Sequence, residues 1–508
     1  MIHKNQKYKD HLHLYNQSLT LLTDLYQLTM SYGYWKAGLD KKEAVFHLFF
    51  RKNPFNGGFA ISAGLETVIE YLKTFHFDPS DLAYLATLRG ANNEPLFEPE
   101  FFDYLANMKF SCSIDAIPEG NVVFPYEPLV RVQGPLIQCQ LLESPLLNLI
   151  NFPSLIATKA ARVCIAAGND PVLEFGLRRA QGIDGSLTAS RSSYIGGCVG
   201  TSNVLAGKIF GIPVHGTHSH SWIMVFDDEL ESFQTYAKNL PNNCIFLVDT
   251  YNTIEGVKKA IEVGKWLRKE GKKLLGIRLD SGDLAYLSIK SRAMLDAAGF
   301  NDAQIFASNE LDESIISELK RQGACITAWG VGTNLVTGGN QPALDGVYKL
   351  SAIRDVGEQW KYKLKLSEQM IKVSNPGILQ VKRYTNRDGY IADAIYDTNI
   401  GISSSASIVD PFDPTRLKIL NENWISRDLL IPIFDKGQCV YEIPSLSEIR
   451  ATTQKELSQF HTGVKRFMHP HEYTVGMEKS LYELKVNLIK NIRTLTAHNY
   501  IDSGVNND

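Results

Sequence analysis

Three of the chain's twelve histidines fall between His215 and His220, in the stretch Val214-His215-Gly216-Thr217-His218-Ser219-His220-Ser221-Trp222. Ile212-Pro213-Val214 before it reads as the end of a short buried strand, and Trp222 to Phe226 after it is apolar. Imidazoles at the end of a strand can bind a metal, move protons or form a covalent intermediate. Taken alone, the stretch leaves open that the three simply fill a polar loop. Other chemistry-bearing groups come after short β-rich runs in the same way. They read Glu174-Phe175-Gly176-Leu177-Arg178-Arg179, Asp249-Thr250-Tyr251-Asn252, Arg278-Leu279-Asp280-Ser281-Gly282-Asp283, Ser308-Asn309-Glu310 and Gly330-Val331-Gly332-Thr333-Asn334.

Arginines such as Arg178, Arg179 and Arg278 give bidentate contacts to phosphate or carboxylate, or form ordinary surface ion pairs. Asp249, Asp280 and Asp283 can hold Mg²⁺ on a polyphosphate, or cap helices. Gly330-x-Gly332-Thr333 offers backbone N–H donors to a phosphate where small residues allow close approach. Together these groups suit a phosphorylated, anionic substrate. His218-x-His220 also suggests a metal-dependent hydrolase. Such a site needs imidazoles on later strands, and none lies between Ser221 and Phe460. A non-catalytic nucleotide-binding protein would use the glycine loop and arginines but leave the histidines idle. Arg51-Lys52 beside the turn Asn53 to Phe59 is a further cationic stretch, open to phosphate or simply solvated.

The elements that must position these groups form one rhythm. Short β-rich runs appear at 172–175, 212–214, 245–248, 274–277, 304–306, 324–327 and 347–350, with helical patterns between several of them. Thr253 is placed to cap a helix from Ile254 to Lys269, and Asp312 one from Glu313 to Arg321. Strands alternating with helices predict an α/β fold with a parallel sheet, and the number of repeats favours an irregular (β/α) barrel. C-terminal strand ends of such sheets converge on one mouth, so these groups are expected to share a site.

Earlier, a helix begins near Thr23-Asp24, with Leu25, Leu28 and Tyr32 as its stripe, and Asp24 and Tyr26 lie in its first turn. Short strands come next between Ala116 and Ile137, then a long apolar helical stretch from Leu141 to Ala167, expected to be interrupted near Pro153. The division expected is 1–140 as an N-terminal α+β domain that later segments complete, 141–352 as the barrel-like domain, and 353–508 as a region packing on both. Residues 1–17 read as a loose polar arm.

Composition bounds the partners. The 508 residues are 44% apolar and 21% charged, with a net charge of −3, which gives no basic face for nucleic acid or an anionic membrane. No apolar run is expected to reach membrane-spanning length, and the N-terminus lacks an apolar signal core. The seven cysteines are scattered and never spaced C-x-x-C, which suits reduced thiols in the cytoplasm.

Five of these stretches, in order, resemble nicotinate phosphoribosyltransferase, of the type II phosphoribosyltransferase family. They are Thr23 to Met30, Glu174 to Gly182, Gly216 to Ser221, Arg278 to Asp283 and Gly330 to Thr333, within residues 20–350. The family's histidine motif commonly reads Gly-Thr-x-Ala-His-Ser; here Ser219 replaces the alanine, His218 takes the variable place, and the flanking residues favour His220.

The resemblance implies attack of the nicotinate nitrogen on C1 of phosphoribosyl pyrophosphate. The products are nicotinate mononucleotide and pyrophosphate, in the first step of NAD biosynthesis by salvage of nicotinate. It implies Mg²⁺, ATP as co-substrate, and a transient phosphohistidine at His220. Asp249 is expected to orient that imidazole, and Asp280 to face the ribose. Arg178 and Arg278 would bind anionic groups, Phe175 would stack on the pyridine, and Ser202 and Ser221 belong to the substrate pocket. Ser308, Asn309, Gly330, Gly332 and Thr333 would cradle phosphate. Asp24 and Tyr26 would come from the partner subunit of a homodimer with shared sites. In nicotinamide-using relatives an aspartate in a Gly-Thr-Asp stretch accepts from the amide. The matching stretch here is Gly200-Thr201-Ser202-Asn203, so Ser202 stands in its place.

Overall fold

The structure, a computed structural model, describes residues 18–403 and 405–502; the expected arm over 1–17 lies outside them. Six short strands form a parallel sheet: β1 (Val172–Glu174), β2 (Gly200–Thr201), β3 (Ile245–Leu247), β4 (Gly276–Leu279), β5 (Gln304–Ala307) and β6 (Ala328–Val331). Their order is β2-β1-β6-β5-β4-β3. Strands of this kind are buried on both faces and so read as apolar runs. Trp329, Phe246, Ile277 and Ile305 are fully buried between the helices.

The α/β fold with a parallel sheet is as expected, and the six strands do not close on one another. Neighbours keep chain order, and β6 pairs with β1. Beyond β2, however, the expected strand at 212–214 is reduced to a single bridge between Thr201 and Val214. The segment makes two backbone bonds to β2, Thr201 N–H to the Pro213 carbonyl and His215 N–H to the Thr201 carbonyl, and then turns away. No ladder joins it to β3.

Two larger sheets and a two-stranded one, Ala60–Ile61 with Val122–Val123, accompany this layer. One is antiparallel and seven-stranded, and takes its strands from distant parts of the chain: Lys42–Phe49, Ser113–Ala116, Val130–Pro135, Val347–Asp355, Lys361–Tyr362, Ile431–Asp435 and Gln438–Cys439. Val347–Asp355 was expected to continue the α/β rhythm. It pairs instead with Lys42–Phe49, Phe46 opposite Leu350, and Tyr348 stacks on Phe46 at 4.9 Å. Its burial is mixed along its length, unlike that of β6, which is buried throughout. The third sheet is six-stranded and lies wholly within residues 379–478.

The helix Glu143–Ala167 joins the layers and runs unbroken through Pro153, contrary to the expected interruption. Proline removes the bond to the Leu149 carbonyl. Gly64 passes against that carbonyl so closely that a Cβ would lie 2.0 Å from it. Ser154 and Thr158 on the same helix serve the backbone of the neighbouring loop, accepting from the N–H of Ala63 and Ile61 at 3.1 and 2.9 Å. Counting the preceding turn, Leu136–Ala167 is long and apolar enough to cross a membrane, which corrects the reading that no run reaches that length. Its most apolar part is 67% buried inside the fold, so here it serves as a core helix.

Candidate active site

The turn after each parallel strand is held by its own polar groups. The helix after β3 is capped by Asn252, one residue before the expected Thr253, and its side chain accepts from Glu255 N–H at 3.1 Å. Asp312 caps Glu313–Arg321 as expected. Asp283 accepts from Tyr286 N–H at 3.0 Å, so of its two expected roles it takes the cap. Asp249 and Asp280 remain directed toward the mouth.

At the end of β4, Arg278 is fixed on three sides. Its Nε donates to the Ser308 hydroxyl at 2.8 Å, one terminal nitrogen to the Thr217 hydroxyl at 3.0 Å, and the other to Asp280 Oδ1 at 3.0 Å. The guanidinium lies 5.8 Å from the centre of the Phe175 ring. A guanidinium has five N–H donors, so two are left for a ligand beside that ring. The Ser308 hydroxyl also donates to Asp280. Burial raises the Asp280 carboxyl, but the Ser308 hydroxyl and the Arg278 charge outweigh it and hold the group below the usual range. Asp249 is buried. Its Oδ2 accepts from Asp280 N–H at 2.9 Å and from the Ser281 hydroxyl at 2.6 Å, while Oδ1 has no donor among the described residues.

The three histidines separate by environment. His220 opens the helix His220–Met224 with its side chain 39% exposed. Its Nε2 faces Asp280 at 3.6 Å and Asp249 at 4.0 Å. Asp249, expected to orient this imidazole, stands on the Nε2 side, and the Thr250 hydroxyl lies 3.1 Å from Nδ1. His215 is exposed. His218 is buried among Phe233, Tyr236 and Phe246, and burial pushes its imidazole down to about 4. It is therefore neutral, and its Nε2 accepts from Leu247 N–H at 3.3 Å. Among the described residues no group of three or more metal-ligating side chains could hold an ion, which leaves the hydrolase reading without a site.

Phe175, Thr217, His220, Asp249, Arg278, Asp280 and Ser308 thus form one connected set drawn from separate strand ends. Gly330 lies inside β6, not in the loop where the sequence placed it, and a Cβ there would meet the Phe175 ring at 2.5 Å. Gly332 lies against the Phe175 carbonyl, 3.3 Å from where its Cβ would sit. Ser202 borders the same turn, its N–H on the Glu174 carbonyl at 2.9 Å. Ser221 is 2.6 Å from the Ser219 hydroxyl. Arg178, Asn309 and Thr333 are exposed in the turns after β1, β5 and β6, without a contact into the connected set. Asp24 and Tyr26 are elsewhere. They line a separate depression with Ser144, Asn148, Asn151 and Phe152, and Asp24 accepts from the Ser144 hydroxyl at 2.5 Å. Arg51 and Lys52 line a cavity of 650 Å³ with Phe124, Tyr126 and Phe412, apart from the mouth.

Sequence reasoning missed Thr217, Thr250 and Glu174. The two threonines sat in stretches singled out for their neighbours. Glu174 was marked by a carboxylate in an apolar strand. It is buried, accepts from Ser190 and Thr201 hydroxyls at 2.8 and 2.6 Å and from Gly176 N–H, and so shapes the turn that carries Phe175.

Compared with known proteins, the chain matches three family descriptions in order. They are the nicotinate phosphoribosyltransferase N-terminal domain over residues 21–151, the nicotinate phosphoribosyltransferase family over 171–369, and the nicotinate phosphoribosyltransferase C-terminal domain over 378–485. It is 42% identical to nicotinate phosphoribosyltransferase of Bacillus subtilis, with 94% of this chain and 97% of that one covered. The enzyme of the same name from Dictyostelium discoideum is 38% identical, with 96% and 91% covered. The crystal structure of human nicotinic acid phosphoribosyltransferase superposes with a TM-score of 0.79 at 32% identity, covering 92% of this chain and 99% of that one.

Proposed function

The chain belongs to the nicotinate phosphoribosyltransferase family, and from that premise we propose how its mouth performs the family's reaction. Nicotinate mononucleotide and pyrophosphate form as the pyridine nitrogen attacks C1 of phosphoribosyl pyrophosphate and the C1–O bond to pyrophosphate breaks. The observation that carries our reading is Arg278, locked by Thr217, Asp280 and Ser308 beside the Phe175 ring with two N–H donors free. The ring stacks on the pyridine and the free donors take its carboxylate. Asp280 faces the ribose and steadies positive charge developing at C1. Arg178, Ser202 and Ser221 border the substrate. Ser308, Asn309, Gly332 and Thr333 meet phosphate, while Gly330 acts by making room for Phe175.

ATP is the co-substrate and His220 its phosphoryl acceptor. Asp249 and Asp280 face Nε2 and favour the tautomer with the proton there. The lone pair is then on Nδ1, beside Thr250; as it bonds to the γ-phosphorus of ATP, the bond from that phosphorus to the β–γ bridging oxygen breaks and ADP leaves. The orphaned Oδ1 of Asp249 and the neighbouring Asp280 suit Mg²⁺ carried in on polyphosphate, since that ion is usually held by one or two carboxylates plus substrate oxygens. Such an ion neutralises charge on the leaving pyrophosphate.

The site is shared in a homodimer, in which Asp24 and Tyr26 serve the partner's mouth. Support comes from Leu22, Leu25 and Tyr26, which are 42, 53 and 48% exposed around Asp24, and from Val204, Met224 and Val225 on helices near the mouth, 70, 65 and 80% exposed. The cyclic order of the parallel strands supports an irregular barrel left open at one seam. All seven cysteines are free thiols, in keeping with a cytoplasmic enzyme.

Nicotinate should be preferred to nicotinamide, because Ser202 supplies no carboxylate for an amide and Arg278 loses its anion. A charge-assisted hydrogen bond contributes about 1.5–3 kcal/mol, and leaving its donor unpaired adds to the discrimination, about 10²-fold in all. Steady-state assays with each base at matched phosphoribosyl pyrophosphate test this, and equal kcat/KM for the two bases would sink it. Ser202→Asp should depress nicotinate use more than nicotinamide use.

A further inference from the structure

We propose that His218 is a positioning residue, which ties the histidine loop to the open edge of β3 and so sets His220 against Asp249 and Thr250. The proposal rests on the reading of His220 above. Where the sheet stays open, β3 has an edge N–H, that of Leu247, with no neighbouring strand to take it. The His218 imidazole takes it at 3.3 Å through Nε2. Its Nδ1 points at the Ser219 carbonyl at 3.4 Å, which holds the proton on Nδ1 and the lone pair on Nε2. The ring is walled by Phe233, Tyr236 and Phe246, with centroids at 6.1, 5.0 and 6.3 Å.

The tie is close in sequence to the contact it governs. His218 is two residues before His220, and Leu247 is two before Asp249 and three before Thr250. Fixing one pair fixes the register of the other. The neighbouring Thr217 holds Arg278 at 3.0 Å, so the same tie places the loop on both sides. The loop is otherwise exposed, and besides the backbone bridge at Val214 it is held by single side-chain bonds at Thr217 and His220.

The test compares full-length wild type with His218→Gln and His218→Leu. Glutamine brings an amide oxygen near the place of Nε2, while leucine fills the cage and leaves Leu247 N–H without an acceptor. Three quantities are read: hydrogen exchange of the Leu247 amide, phosphohistidine formed from labelled ATP, and turnover with and without ATP. In the leucine variant the amide should lose protection, and ATP stimulation should fall about tenfold or more, as expected of a misplaced reacting group. Turnover without ATP and KM for nicotinate should change less, because Arg278 keeps its bonds to Ser308 and Asp280 when Thr217 shifts. Glutamine should keep both protection and stimulation. Undiminished ATP stimulation in a leucine variant with a deprotected Leu247 amide overturns the proposal. So does a stably folded glutamine variant that loses stimulation, the outcome that decides if leucine does not fold. If wild type forms no phosphohistidine, the His220 reading fails by itself, and equal Leu247 protection in the two variants then overturns the tie.

Discussion

A methyl group at position 330 would lie 2.5 Å from the Phe175 ring. Overpacking of this kind costs about 1–3 kcal/mol, and here it would tilt the ring that stacks on the base. Gly330→Ala should therefore lower kcat/KM for nicotinate by about tenfold or more, mainly through KM. KM for phosphoribosyl pyrophosphate should move less. An unchanged nicotinate KM in a folded variant would show that Phe175 does not stack on the base. Residue types and spacing made Phe175, Arg278, Asp280 and the histidine stretch legible. The flanking residues favoured His220 over His218, while what separates the two physically, burial and the partners of each ring nitrogen, is created only by the fold. The second neighbour of His220 was missed for a related reason: Thr250 comes directly after Asp249, and in the strand-end turn it is the threonine that meets Nδ1.

At the scale of elements, the alternation of strands and helices was readable because each parallel strand is an apolar run buried on both faces. Boundaries were less so. The run Cys325-Ile326-Thr327 looks as β-rich as the residues just after it, yet β6 is Ala328–Val331, registered by Trp329, whose indole N–H reaches Asp170 at 3.1 Å. The sheet stays open beyond the run 212–214, which is reduced to one bridge with Thr201, a break that its apolar composition did not announce. Val347–Asp355 was assigned to the wrong sheet because a strand's partner is set by tertiary packing, here Tyr348 on Phe46, and not by its own composition. Pro153 was expected to break its helix. The helix runs on, and the freed Leu149 carbonyl lies against Gly64, a contact 85 residues distant that no local pattern announces.

For the whole molecule, the expectation is a pair of chains that complete each other's sites. A Tyr26→Ala chain and an Arg278→Ala chain, each inactive alone, should regain part of their activity when mixed, because one site of the hybrid keeps both groups. A fully active monomer in sedimentation, or no recovery despite subunit exchange, would count against shared sites. The central claim is that this mouth joins phosphoryl transfer at His220 to nicotinate mononucleotide formation. Its most direct test tracks labelled ATP and labelled nicotinate together in wild type and His220→Ala. Wild type should carry an acid-labile phosphate on His220 and form more product with ATP than without. His220→Ala should keep its fold, carry no such phosphate and show no stimulation by ATP. Full ATP-coupled turnover in His220→Ala would contradict the account.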